Sequence, residues 1–367
     1  MKILDFRIIA RCVLTTACML SVSSCERPSP QTTQEGYRGT GMVDVQNVHR
    51  LETKFLDNAV PTPLPAASPG GPPASVAFKN LQVLNNVSIG EFTRTMLAIT
   101  SWVSPTEGCA YCHNLANMAS DEKYPKVVAR RMIQMTQHIN ADWKQHVADT
   151  GVTCYTCHRG NPVPKQIWFT HPDEVRSTFA GNKGGQNMPT PAVGLTSLPY
   201  DPFSTFLLND NDIREVSATA LPSGDKHSIK QTEWTYALMM SISQSLGVNC
   251  TYCHNSRSFT DWDQSSPPRA TAWYGIRMVR DINNNFLVPL QSTLPPQRYG
   301  PGGDGPKANC ATCHQGVNKP LLGASMLNDY AVFRGPAAPA ATASPPSGTD
   351  TALTPAAAPA GTSAGLQ

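Results

Sequence analysis

Four pairs of cysteines in this chain are each followed at once by a histidine. They are Cys109-Ala-Tyr-Cys112-His113, Cys154-Tyr-Thr-Cys157-His158, Cys250-Thr-Tyr-Cys253-His254 and Cys310-Ala-Thr-Cys313-His314. Two thiols three positions apart on a helical turn can form thioethers to the two vinyl groups of one haem, and the next residue then points its imidazole at the iron. At the Cys and His frequencies of this chain, fewer than about 0.01 such matches are expected by chance. Zinc ribbons pair C-x-x-C knuckles without a His after each. A redox dithiol occurs once, beside a βαβ pattern, and a disulfide closing so short a loop stabilises little. Four covalently bound haem c groups are therefore expected, on Cys109, Cys112, Cys154, Cys157, Cys250, Cys253, Cys310 and Cys313, with His113, His158, His254 and His314 as proximal ligands.

The motifs recur as a pair of pairs. Met96-Leu-Ala-Ile99 precedes the first and Met239-Met-Ser-Ile242 the third, and both motifs continue His-Asn. Arg131-Met132 precedes the second and Arg277-Met278 the fourth, and both continue His-x-Gly. Residues 88–165 and 232–335 thus read as two pseudo-repeated dihaem units, joined by a Pro/Gly/Thr-rich connection over 166–231. The expected fold is mainly α with extensive loops, packed around the four haems.

Four helices must position the chemistry. The first opens on a capping box, Ser88-x-x-Glu91, and aligns Phe92, Met96, Ile99 and Val103. The second starts at Pro125 and runs to near Gly151, with a stripe of Val128, Met132, Met135, Ile139, Trp143 and His146. The third aligns Thr235, Met239, Ile242 and Leu246. Met240 falls about 100° away, so Met239 is the counterpart of Met96. The fourth spans about Ala270 to Phe286, with Tyr274, Met278 and Ile282 aligned. No strand pattern is evident.

The sixth ligand of each iron separates a carrier from a catalyst, since an open position binds small molecules and a methionine opposite His raises the potential. A methionine on an apolar stripe is ordinarily core filler, but the repeated Met-x-x-Ile singles out Met96 and Met239. Met132 serves the second motif, with Met135 as its rival. For the fourth, the repeat points to Met278, while His146 is a second candidate. On one continuous helix Met132 and His146 share nearly one face about 21 Å apart, so that helix would bridge two haems. Spacing leaves Met278 and His146 open.

Composition limits the alternatives. Of 367 residues only 15% are charged, the formal net charge is +3 and no long Lys/Arg run exists, so no nucleic-acid partner is expected. No apolar run reaches the roughly 18–20 residues of a spanning helix. Residues 1–24 read as an export signal, with Lys2, Arg7 and Arg11 ahead of a short apolar core, and Val22-Ser23-Ser24-Cys25 resembles a bacterial lipobox with Cys25 as the lipidated residue. Residues 25–87 read as an extended lipid-anchored segment with a proline run from Pro61 to Pro73, and 336–367 as a disordered Ala/Pro-rich tail. Arg130, Arg131, Arg277 and Arg280 are either propionate partners or solvated surface residues.

The four motifs, the methionine helices, Trp-x-Gln-His146, Gly151-Val-Thr-Cys-Tyr-Thr-Cys-His158-Arg-Gly, Ala237-Leu-Met-Met-Ser-Ile-Ser and Gly275-Ile-Arg-Met-Val-Arg-Asp281 together resemble the tetrahaem cytochrome c subunit of purple-bacterial photosynthetic reaction centres. The resemblance covers residues 25–334. It implies His/Met haems using Met96, Met132 and Met239, and a bis-histidine haem using His314 and His146, which makes Met278 a core residue. It implies an electron carrier, not an enzyme, lipid-anchored at the periplasmic face of the photosynthetic inner membrane. There it would re-reduce the special pair of the reaction-centre L and M subunits with electrons from soluble cytochrome c₂ or a high-potential iron–sulfur protein. A multihaem carrier of a respiratory chain, or a multihaem reductase with one open iron, are the alternatives.

Overall fold

The helix starts at Ser88, Pro125 and Pro267 follow local sequence signals, and the end of the helix that opens at Pro125 is set by contacts from distant parts of the chain. The computed structural model describes residues 29–36, 41–68, 70–170, 190–213 and 229–335. The signal segment, Cys25 and the tail from 336 lie outside the described residues. The order is β1 (Gln31–Gln34), β2 (Val43–Gln46), α1 (Val48–Asp57), α2 (Ala74–Ala77), α3 (Ile89–Val103), α4 (Tyr124–Asp142), α5 (Lys144–Val147), α6 (Cys154–His158), β3 (Ile167–Trp168), α7 (Ile229–Leu246), α8 (Pro267–Ile282), β4 (Lys307–Ala308) and α9 (Cys310–His314), with short 3₁₀ and π turns between.

Ser88 caps α3 by accepting from the Glu91 amide at 3.2 Å. Glu91 does not complete the box: its carboxylate pairs with Arg94 at 3.1 Å. Pro125 lies in the first turn of α4, and Pro267 follows the Ser266 cap of α8, where a missing amide proton costs nothing.

The long helix expected from Pro125 to Gly151 is broken. It leaves helical geometry at Trp143 (φ −112°, ψ 34°) and resumes for the single turn of α5. Two distant contacts account for the break. The Trp143 indole donates to the Asp281 carboxylate at 2.8 Å, and the Asn140 side chain bonds both the amide and the carbonyl of Val152 at 2.7 and 2.9 Å. Together they outweigh continuation of the helix, so Met132 and His146 do not share one unbroken helical face.

Two hydrophobic clusters hold the helices. One gathers Ile139 of α4, Leu238 and Ile242 of α7, and Ile276, Met278, Val279 and Ile282 of α8 around Phe206 and Leu207. The other gathers Ala98 and Trp102 of α3, Ile133 of α4 and Cys154 of α6 against Leu321, Leu327, Tyr330 and Phe333. Each large side chain so buried contributes about 1.5–3 kcal/mol. Phe206 and Leu207 come from the stretch read as a connection, which therefore supplies core.

Two features departed from expectation. Strands do occur, as two small antiparallel pairs: β1 with β2, and β3 with β4. At four and two residues each they are too short to carry a period-two pattern. The segment before residue 88 also holds this first hairpin and the ten residues of α1 ahead of its proline run. Buried Arg94 binds that run to the body, donating to the Leu64 and Pro65 carbonyls and to Asp329 O while lying over the Tyr330 ring.

Candidate functional site

The four Cys/His motifs take two local shapes, alternating along the chain. The first and third are 3₁₀ turns, Gly108–Tyr111 and Cys250–Tyr252. Each follows a glycine at φ +63°, Gly108 and Gly247. Their following asparagines act alike, Asn114 accepting from the Ala116 amide at 3.0 Å and Asn255 from the Arg257 amide at 2.9 Å. The second and fourth are the short helices α6 and α9. Thr156 accepts from the Thr153 amide and Thr312 from the Asn309 amide, both at 2.9 Å. Arg159 and Gln315 then end the two helices in the left-handed region.

The methionine helices dock on the helical motifs in matching fashion. Gly160 N–H donates to Trp102 O at 2.7 Å, and Gly316 N–H to Ser245 O at 2.8 Å. Trp102 lies six residues after Met96, and Ser245 six after Met239. The shared register makes Met239, and not Met240, the equivalent of Met96.

The motif histidines share one hydrogen-bonding arrangement. His113 Nδ1 lies 3.2 Å from Met118 O and His254 Nδ1 2.9 Å from Phe259 O. His158 Nδ1 lies 2.9 Å from Asn161 O and His314 Nδ1 2.9 Å from Val317 O. A carbonyl can only accept, so each Nδ1 carries a proton, which in the neutral ring leaves Nε2 as the nitrogen with the lone pair that an iron ligand requires. Burial lowers the basicity of His158 and His254, and burial together with the nearby His146 pushes His314 down to about 4. All three rings are thus neutral donors at neutral pH. Burial acts the opposite way on the thiols, raising Cys154 and Cys310 to about 12 and Cys112 and Cys253 to about 11. At these four thiols burial disfavours the thiolate that a metal site would need. No group of three or more His, Cys, Asp or Glu arranged to hold a bare metal ion occurs among the described residues.

His146 has the same signature without a cysteine motif. Its Nδ1 lies 2.9 Å from Thr271 O, and burial lowers its basicity. Its ring faces that of His314, with centroids 6.0 Å apart and planes at 66°. A metal bonded to two imidazoles at about 2.0–2.1 Å, with roughly 1.1 Å from nitrogen to ring centre, separates the centroids by about 6 Å. The two rings are therefore spaced to share one metal atom. His138 differs: its two nitrogens lie 2.6 Å from Asp142 and 2.5 Å from Asp281, so neither is available.

A cavity of about 690 Å³ passes the first, second and fourth motifs and meets the third at Tyr252. Met132, Met135, His146 and Met278 all reach its wall, so position alone does not separate Met132 from Met135. Met278 is 5% exposed and belongs mainly to the α7–α8 core. Met96 is half-buried on α3, whose buried face is Arg94, Thr95, Ala98 and Trp102; the stripe of Phe92, Met96, Ile99 and Val103 is the half-buried one, and Ile99 and Val103 line the cavity. Met239 packs at the edge of the α7–α8 core.

The four arginines near these helices have protein partners. Arg130 pairs with Asp121 at 2.8 Å, Arg280 pairs with Asp210, Arg131 lies over Phe286 and Arg277 over Trp273. The cations at the cavity wall are instead Lys307, Lys319 and Arg298, the last of which donates to the hydroxyls of Tyr124 at 3.1 Å and Tyr111 at 3.2 Å. Sequence reasoning did not find Arg298, since no motif or spacing marks it. No helix among the described residues is long and apolar enough to cross a membrane.

Comparison with known proteins finds relatives along most of the chain. The family model of the photosynthetic reaction centre cytochrome c subunit matches residues 26–334. The photosynthetic reaction center cytochrome c subunit of Rubrivivax gelatinosus is 55% identical over 343 residues, covering 93% of each chain. That of Thermochromatium tepidum is 52% identical over 86% of this chain and 80% of its own, and that of Roseobacter denitrificans 43% identical over 81% and 84%. The chain belongs to the family of photosynthetic reaction centre cytochrome c subunits, electron carriers with covalently bound haem c and not enzymes.

Proposed function

We propose that this chain holds four covalent haem c groups in two duplicated dihaem units, residues 88–165 and 232–335. Anchored by lipid at Cys25 to the periplasmic face of the photosynthetic membrane, it re-reduces the photo-oxidised special pair of the L and M subunits. Its electrons come from a soluble periplasmic carrier, cytochrome c₂ or a high-potential iron–sulfur protein. The duplication is supported by the alternating motif shapes and by the matched Trp102–Gly160 and Ser245–Gly316 bonds. The lipid anchor is supported by the Val22-Ser23-Ser24-Cys25 sequence.

The observation that carries the reading is the pair His146 and His314, whose ring centroids lie 6.0 Å apart, a spacing that supports both as donors for the fourth motif. The other motifs take Met96 with His113, Met132 with His158, and Met239 with His254. Each haem supplies a one-electron couple at its iron. Burial disfavours the charged form of His158, His254 and His314 and the Nδ1 bonds orient all four imidazoles, while Met96, Met132 and Met239 would supply sulfur donors that raise three potentials and would leave no open coordination position of the kind a reductase needs.

A flash given to membranes containing the chain tests the function. Oxidation of its haems following light, faster than a diffusing carrier can exchange, is the expected result. Haem absorption unaffected by the flash would exclude the reaction-centre role and favour a respiratory carrier.

A further inference from the structure

Helix α8 grips His146 at three places. Thr271 O accepts from its Nδ1 at 2.9 Å. Asp281 accepts from the indole of Trp143 at 2.8 Å, which breaks the helix three residues before His146. Between them lies Gly275, one turn beyond Thr271. A Cβ built on Gly275 would lie 2.5 Å from His146 Cε1, 2.8 Å from Nδ1 and 3.2 Å from Nε2. The first two distances are shorter than real Cβ contacts, and the imidazole cannot yield without leaving the Thr271 carbonyl.

The backbone does not ask for this glycine. Gly275 sits inside α8 without a positive φ, where alanine is the better helix former. The repeat supplies the comparison. Met278 of α8 corresponds to Met132 of α4, so Gly275 corresponds to Ala129. The copy read as presenting a methionine carries the Cβ; the copy that His146 packs against lacks it.

We propose that Gly275 is the positioning residue that sets the ligand of the fourth motif, its missing Cβ admitting the His146 ring opposite His314 and leaving Met278 in the core. This rests on the reading of His146 and His314 as the two donors to one iron.

The test is Gly275→Ala in the full chain within its complex, read by low-temperature electron paramagnetic resonance of the oxidised protein and by redox titration. Loss of most of the bis-imidazole signal, with the lowest-potential haem displaced, is expected. An unchanged signal and unchanged potentials would overturn the proposal. His146→Ala separates the two levels. If it too leaves the bis-imidazole signal intact, the ligand reading fails; if it alone removes the signal, only the role of Gly275 fails. Should Gly275→Ala lower the yield of folded protein, melting temperatures decide. A steric conflict with His146 predicts that the drop caused by Gly275→Ala disappears in the His146→Ala background, and an equal drop in both backgrounds contradicts it.

Discussion

Arg159 and Gln315 reach across to each other's motif. Arg159 donates from Nη2 to Cys313 O at 3.2 Å, and Gln315 donates from Nε2 to Cys157 O at 3.4 Å. Both stand directly after a motif histidine in the left-handed region, with φ/ψ of 46°/49° and 48°/46°. The two helical motifs therefore meet through reciprocal contacts that differ by one charge. The guanidinium donates to the carbonyls of Asp57 and Thr156 as well as Cys313, and burial lowers its basicity.

Arg159→Gln makes this junction symmetric and removes the charge together with the donation to Asp57 O, whereas Arg159→Lys keeps the charge. A unit charge about 10 Å from an iron, at an effective dielectric constant of about 20, is worth about 1.7 kcal/mol, or about 70 mV for a one-electron couple. With the side chain partly exposed, the expected effect is a fall of some tens of millivolts in the haems of the second and fourth motifs, with the others unmoved and Arg159→Lys close to wild type. Redox titration of the four haems measures it. An even shift of all four, or none, would deny Arg159 a local electrostatic role.

Exchanging the proposed axial donors separates ligands from core residues. Met96→Leu, Met132→Leu and Met239→Leu should each lower the potential of one haem, and His146→Met should raise that of the fourth-motif haem. Met278→Leu and Met135→Leu should leave all four potentials in place and cost less than about 1.5 kcal/mol, as volume-conserving core changes do. A potential that responds to Met278 and not to His146 would return the fourth motif to a His/Met haem.

Asp281 ties Trp143, His138 and Asn285 together, with contacts of 2.8, 2.5 and 2.6 Å. Burial alone would raise its pKa, but the donors it accepts from outweigh burial and hold it below the usual carboxylate range. A carboxylate depressed in the folded state contributes stability that is present above its unfolded value of about 3.9 and is lost as pH falls through the lower folded value. Asp281→Asn should therefore cost about 1.5–3 kcal/mol at pH 7, and the gap between variant and wild type should narrow as pH falls below about 4. Denaturant midpoints across that range check it, and a gap independent of pH would show that the ionised form plays no part.

What was legible in the sequence is what is local. The motifs are stretches of five residues whose chemistry depends on spacing alone, and the cap at Ser88 acts on an amide three residues away. The break at Trp143 was not legible, because it depends on Asp281 more than a hundred residues later and on Asn140 reaching Val152. Periodicity continued the stripe through Trp143 to His146, since an amphipathic pattern carries no record of a tertiary hydrogen bond. The grip on His146 had a faint signal, a glycine inside a helical pattern at Gly275, which is the sort of position that marks close approach. The Nδ1 bonds fall three or five residues after each motif histidine, to carbonyls that any residue possesses, and so leave no mark in the sequence.

The central claim, one covalent haem on each of four thiol pairs, is tested most directly by the intact mass of the chain after denaturation. The expected mass exceeds the polypeptide's by four haems, after allowance for lipid, with no cysteine of Cys109, Cys112, Cys154, Cys157, Cys250, Cys253, Cys310 or Cys313 open to alkylation. A chain bearing fewer haems, or motif cysteines that a thiol reagent still reaches, would contradict it.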